Sequence, residues 1–82
     1  MKLKILLISK NKKILYDKCN IATFKTENGE MGIMANHAPI VARIIKSKIK
    51  IKQENKNYDF KINSGLAFMN NNILKIIVFS FD

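Results

Sequence analysis

Lysine and isoleucine alternate without a break from Lys48 to Lys52. In an extended chain, successive side chains point to opposite faces, so this segment shows isoleucine to one side and lysine to the other. A helix does not sort these residues that way, because its faces recur every three or four positions. Tyr58-Asp59-Phe60-Lys61-Ile62 repeats the pattern. Between the two lies Gln53-Glu54-Asn55-Lys56-Asn57, a polar run suited to a hairpin connection.

The same period governs the rest. Leu66-Ala67-Phe68-Met69 and Leu74 to Phe79 flank three consecutive asparagines, Asn70 to Asn72. Asparagine tolerates the left-handed backbone of tight turns, so these segments read as a second hairpin. Met1 to Ile8 interleaves lysine with apolar residues and has no small-residue cleavage site, so it reads as an opening strand and not a signal peptide. Lys10 to Lys13 is its turn. Ile14-Leu15-Tyr16 returns, and Cys19 to Phe24 runs on with Cys19, Ile21 and Thr23 on one face and Ala22 and Phe24 on the other. Ile33-Met34 and Ile40-Val41-Ala42 form short strands around a loop. No segment longer than one turn has helical periodicity. The pattern predicts an all-β fold, a small antiparallel β-sandwich of about eight to ten short strands, as one domain over residues 1–82.

Composition narrows the function. A chain of 82 residues buries only about 60–65% of the surface its unfolded form exposes, so its core is small. Cys19 is the only cysteine, which excludes a disulfide-braced scaffold and fits a reducing compartment. Hydrophobic residues are 48% of the chain, too many for a disordered segment. No apolar run approaches the ~20 residues of a membrane-spanning helix. The net charge of +9 invites an anionic partner, nucleic acid or a membrane surface. The lysines also have a plainer reading: Lys48, Lys50 and Lys52 are expected to lie along an exposed strand edge and discourage it from pairing with neighbours.

Catalysis has little to work with. No nucleophile-elbow motif surrounds Ser9, Ser47, Ser64 or Ser80 to partner His37. One cysteine and one histidine do not make a structural zinc site. Gly29 and Gly32 are spaced G-x-x-G, but no helix pattern follows, so no phosphate cradle is expected. No catalytic residue, metal or cofactor is therefore assigned.

Residues 26–39 nevertheless hold two of the three glycines, the only histidine and the only proline. Asn28-Gly29 is a turn dipeptide. Gly32 implies either a positive φ or close backbone approach. Pro39 fixes its own φ and holds Ala38 extended. The segment is shaped, and it presents Glu30, Asn36 and His37. That describes a protein-contact loop and not an active site with paired titratable groups.

Thr26-Glu27-Asn28-Gly29-Glu30-Met31-Gly32-Ile33, followed by Asn36-His37-Ala38-Pro39-Ile40, resembles the signature of the epsilon subunit of F-type ATP synthases. Phe60 to Ala67, then Asn71 to Ile76, is similar to that family's late strand pair. Met1 to Ile5 fits its start. Ala35 stands where the family usually has proline, Ser47 where it often has a turn glycine, and Ser64 where it has the first glycine of a pair. The resemblance implies a non-catalytic β-sandwich at the foot of the central stalk, clamping the gamma subunit to the ring of c subunits during proton-driven ATP synthesis. It implies that the loop with Gly29, Glu30 and Gly32 faces the ring. It implies that His37, with Ser9 and Ala42, packs against gamma. It further implies a peripheral location on the cytoplasmic face of a bacterial inner membrane, or its organelle or endosymbiont equivalent, with no nucleic acid and no homo-oligomer. The family continues into a C-terminal helical hairpin. The chain stops at Asp82, so coupling without the hairpin's restraint of ATP hydrolysis is expected. The competing expectation is a small basic β-barrel that binds RNA or DNA, against which stands the lack of an interleaved surface-aromatic motif.

Overall fold

The alternating segments become strands because each has one apolar face to cover. The computed structural model describes residues 2–81, which leaves Met1 of the expected opening strand, and Asp82, outside the described residues. Eight strands follow in order: β1 (Leu3–Ile8), β2 (Lys13–Cys19), β3 (Ile21–Thr26), β4 (Gly29–Ile33), β5 (Ile40–Ile44), β6 (Ser47–Gln53), β7 (Lys56–Asn70) and β8 (Ile73–Phe81). The hydrogen-bonded path runs β2-β1-β8-β7-β5-β3-β4, and β6 pairs with β3 and β7.

The 15-residue β7 folds this path into two layers. Its first half pairs with β6, from Gln53 opposite Lys56 to Ser47 opposite Ile62. Its second half lies between β5 and β8. Between Ile62 and Gly65 the register with β8 shifts twice. The inward set changes parity there: Tyr58, Phe60 and Ile62 turn in before the shift, and Gly65, Ala67 and Met69 after it. An extra residue in one strand bends it and raises its twist. One layer is therefore β2-β1-β8 with the second half of β7 and β5. The other is β4-β3-β6 with the first half of β7.

Side chains from both layers form one core. Leu3, Ile5, Leu7, Met69, Leu74, Ile76 and Val78 come from the first layer. Ala22, Phe24, Ile33, Ile49 and Ile51 come from the second, all almost fully buried. Tyr16 stacks at a tilt on Tyr58, with ring centroids 4.8 Å apart.

The structure refines several expectations. All pairings are antiparallel except that of β1 with β8, which is parallel. The stretch from Cys19 to Phe24 is not one strand. Asn20 breaks it and donates its N–H to Lys52 O at 2.8 Å, passing the chain from one layer to the other. Cys19, grouped in sequence with the outward Ile21 and Thr23, is consequently buried. Lys18, at φ 53°, supplies the bulge that turns it inward. Asn71 and Asn72 both have positive φ, as a two-residue I′ hairpin requires. Met34 falls outside β4 and is exposed.

Candidate functional site

The outer faces of the two layers differ in chemistry. Pairing registers place outward residues of the first layer in rows across its strands. One row is Val41, Phe68, Lys75, Leu6 and Leu15. The next is Arg43, Leu66, Ile77, Ile8 and Lys13. Seven of these ten side chains are apolar, and they form a continuous surface on the side away from the core. Val41 is 69% and Leu15 55% exposed. A solvated sheet face is normally polar, and contiguous exposed apolar surface marks an interaction site.

The second layer turns lysine outward, and because β6 pairs with β3 on one side and β7 on the other, its lysines mark a sheet face and not the exposed strand edge expected from sequence. Lys25 on β3, Lys48, Lys50 and Lys52 on β6 and Lys61 on β7 are all exposed. Lys48 stands directly opposite Lys61, and Lys50 opposite Asp59. Lys25, Glu30, Lys46, Ser47, Lys48 and Lys50 line one shallow depression.

The residues singled out from sequence distribute over both faces. Glu30 is exposed on β4, paired in register with Lys25, on the lysine face. Gly29 opens β4 with φ +113° after a two-residue turn made by Glu27 and Asn28. Because positive φ falls only on Gly29 there, the turn is a bulged one and not the symmetric asparagine–glycine type. The Thr26 hydroxyl secures it, donating to Gly29 O at 3.0 Å and accepting from Asn28 N–H at 3.2 Å. Gly32 has no positive φ. A Cβ there meets the Ile21 side chain at 3.2 Å, so its close approach is to a side chain and not to backbone.

His37 sits in the loop between β4 and β5. Its N–H donates to Met34 O at 3.3 Å, and its Nδ1 donates to Ala38 O at 2.8 Å. The preceding Asn36, at φ 67°, donates its N–H to Asn72 Oδ1 at 2.5 Å, which ties this loop to the β7–β8 turn. Lys4 N–H donates to Asn72 O, so His37 lies toward the Lys4 end of β1. Ser9 follows the opposite end of β1, where its N–H donates to Lys12 O. His37 and Ser9 therefore flank the apolar face at its two ends and do not meet. Ala42 lies on β5 between the outward Val41 and Arg43, but faces Ala67 and packs on the core.

Sequence reasoning did not single out Leu6, Ile8, Val41, Leu66, Phe68 or Ile77. The signal was present. Leu6-Leu7-Ile8, Leu66 to Met69 and Ile76-Ile77-Val78 are apolar at every position. A strand with one wet face alternates, so an unbroken apolar run announces cover on both sides.

Reactive chemistry is scarce. Burial, with a smaller contribution from Asp17, pushes the Cys19 thiol above its ordinary pKa, and Sγ donates to Tyr16 O at 3.3 Å. Among the described residues no group of three or more His, Cys, Asp or Glu is placed to hold a metal ion. The Arg43–Glu27 pair, at 3.7 Å, is exposed at both partners and contributes no more than about 1 kcal/mol.

Comparison with known proteins supplies a context. Residues 2–81 match the family model described as ATP synthase, Delta/Epsilon chain, beta-sandwich domain. The chain is 31% identical over 71 residues to the ATP synthase epsilon chain of Lawsonia intracellularis, covering 87% of this chain and 53% of that one. It is 39% identical over 61 residues to the epsilon chain of Caldicellulosiruptor bescii, covering 74% and 44%. The chain thus spans about half the length of the curated relatives it matches. The fold superposes with a TM-score of 0.85 on a chain of the Euglena gracilis mitochondrial ATP synthase, OSCP/F1/c-ring, at 24% identity, covering 94% of this chain and 50% of that chain.

Proposed function

The chain belongs to the ATP synthase delta/epsilon family through its β-sandwich domain, and from that premise we propose that it is a non-catalytic rotor component that couples the gamma subunit to the c ring. The observation that carries this reading is the apolar outer face of the β2-β1-β8-β7-β5 layer. A small domain with apolar side chains on both sides of one sheet is built to be covered. In a rotor, the cover is the gamma subunit. Leu6, Ile8, Leu66, Phe68 and Ile77 supply the apolar centre, with Lys75 among them on β8, and Arg43 and Lys13 lie at its two edges. His37 and Ser9 bound the interface at its two ends.

Glu30 faces a different direction, from the lysine layer, and serves the contact with the polar loops of the ring. A rim charge of this kind sets orientation and association rate more than affinity. The domain is held at the cytoplasmic side of the membrane by the complex. Docking also stabilises it, since binding to the folded form alone shifts the folding equilibrium.

Reconstitution tests the proposal. On this reading an ATP synthase depleted of its epsilon subunit is expected to hydrolyse ATP without pumping ions. Adding this chain is expected to restore ATP-driven acidification of vesicles, and failure to bind or recouple the depleted complex contradicts the reading.

A further inference from the structure

The proposed gamma contact does not use the lysine face, and the charge distribution of that face is uneven in a way that asks for a partner. Five lysines from three strands, Lys25, Lys48, Lys50, Lys52 and Lys61, project from one sheet surface, with Lys46 beside them. The acids among them are Glu30 and Asp59, which stand opposite Lys25 and Lys50. The register sets Lys48 against Lys61, a like-charge cross-strand pair that disfavours the isolated sheet. An anion laid over this face relieves that repulsion.

We infer that this face binds the surface of an anionic phospholipid bilayer. Three features favour headgroups over nucleic acid. The cations there are lysines, compact charges that neutralise phosphate without reading bases. The outward residues of β3, β4, β6 and the first half of β7 include no aromatic ring, so there is no platform on which bases stack. The lysines spread over three strands of a sheet face, and the depression that some of them line is shallow and also holds Glu30, which repels a nucleic-acid backbone. Each lysine held near an anionic leaflet contributes about a fivefold gain in partitioning. The inference is independent of gamma docking, because it concerns the opposite face and its test contains no other subunit.

The test is co-sedimentation of the chain with phosphatidylglycerol–phosphatidylcholine vesicles and with pure phosphatidylcholine vesicles. Binding is expected only to the anionic vesicles, with loss at high salt as the Debye length falls to about 3 Å at 1 M. K48Q/K50Q/K61Q is expected to weaken binding about a hundredfold. K2Q/K10Q/K12Q, which removes the same charge elsewhere, is expected to retain most of it. Glu30→Gln is expected to strengthen binding severalfold, a gain that misfolding does not mimic. Equal loss in both triple variants overturns the inference, as does absence of binding to anionic vesicles. Tighter binding to single-stranded RNA than to vesicles at the same salt also overturns it.

Discussion

Gly65→Ala probes the feature on which the two-layer fold depends. Gly65 lies just past the register shifts in β7, opposite Val78, where the strand leaves one layer for the other. A Cβ at this position meets Ile77 O at 2.7 Å and Ile62 Cδ1 at 3.4 Å. The first contact is with backbone, so β8 must move by more than half an ångström to reach an ordinary separation. Overpacking of this kind costs about 1–3 kcal/mol. Alanine also loses less chain entropy on folding than glycine, which returns about 0.4–1 kcal/mol. The net expectation is a loss of about 1–2 kcal/mol. For a domain of this size, 1 kcal/mol moves Tm by about 4–8 °C, so Gly65→Ala should melt about 4–16 °C lower by far-ultraviolet circular dichroism. Gly32→Ala is the control, because its clash is with the flexible, partly exposed end of Ile21 and should cost far less. An unchanged Tm for Gly65→Ala, or a larger loss for Gly32→Ala, refutes the role given to the bend.

Three further outcomes follow from the same structure. Lys61→Glu turns the like-charge pair with Lys48 into an attractive one and should stabilise the domain by roughly 0.2–1 kcal/mol, a gain that shrinks in high salt, read by denaturant melts. Burial holds the Cys19 and Tyr16 pKa values up in the folded state, so the unfolded chain ionises first as pH rises. Stability should thus be fully present below about pH 8.5 and fall as pH climbs through the folded-state values, with Cys19→Ala flattening the early part of that fall. Glu30→Lys sets a second lysine opposite Lys25, so it should cost the fold only about 0.2–1 kcal/mol while weakening retention on immobilised c ring, and a larger loss of stability would show instead that Glu30 is structural.

Much of this was legible from residue order because period two is a local property. Lys48 to Lys52 and Tyr58 to Ile62 alternate, and β6 and β7 follow. Asn70 to Asn72 marked the last hairpin, and the left-handed residues fall on its second and third asparagines. The joining of two hairpins through one bent β7 was not legible. Bulges are set by how the strand must wrap a core that forms only in three dimensions, and Gly65 announces a bend only once Ile77 O is seen behind it. The parallel β1–β8 pair depends on that wrapping too. For the site, Glu30 and His37 were visible because special residues cluster around them. For the apolar outer face, the unbroken run Leu66 to Met69 signals cover on both sides, but which residue faces which way was not legible, because an outward Phe68 and a core-facing Met69 look alike until the register separates them.

The most direct measurement is the affinity of the gamma subunit for this chain and for its Phe68→Asp variant by titration calorimetry. Phe68 faces outward and stands opposite Lys75, so aspartate is tolerated by the fold but not by a desolvated interface. The account predicts binding by the unaltered chain, a loss of at least about thirtyfold for Phe68→Asp, as expected of a central anchor, and unchanged binding for K48Q/K50Q/K61Q. Full affinity in Phe68→Asp, with loss in the lysine variant, would contradict it and place gamma on the other face.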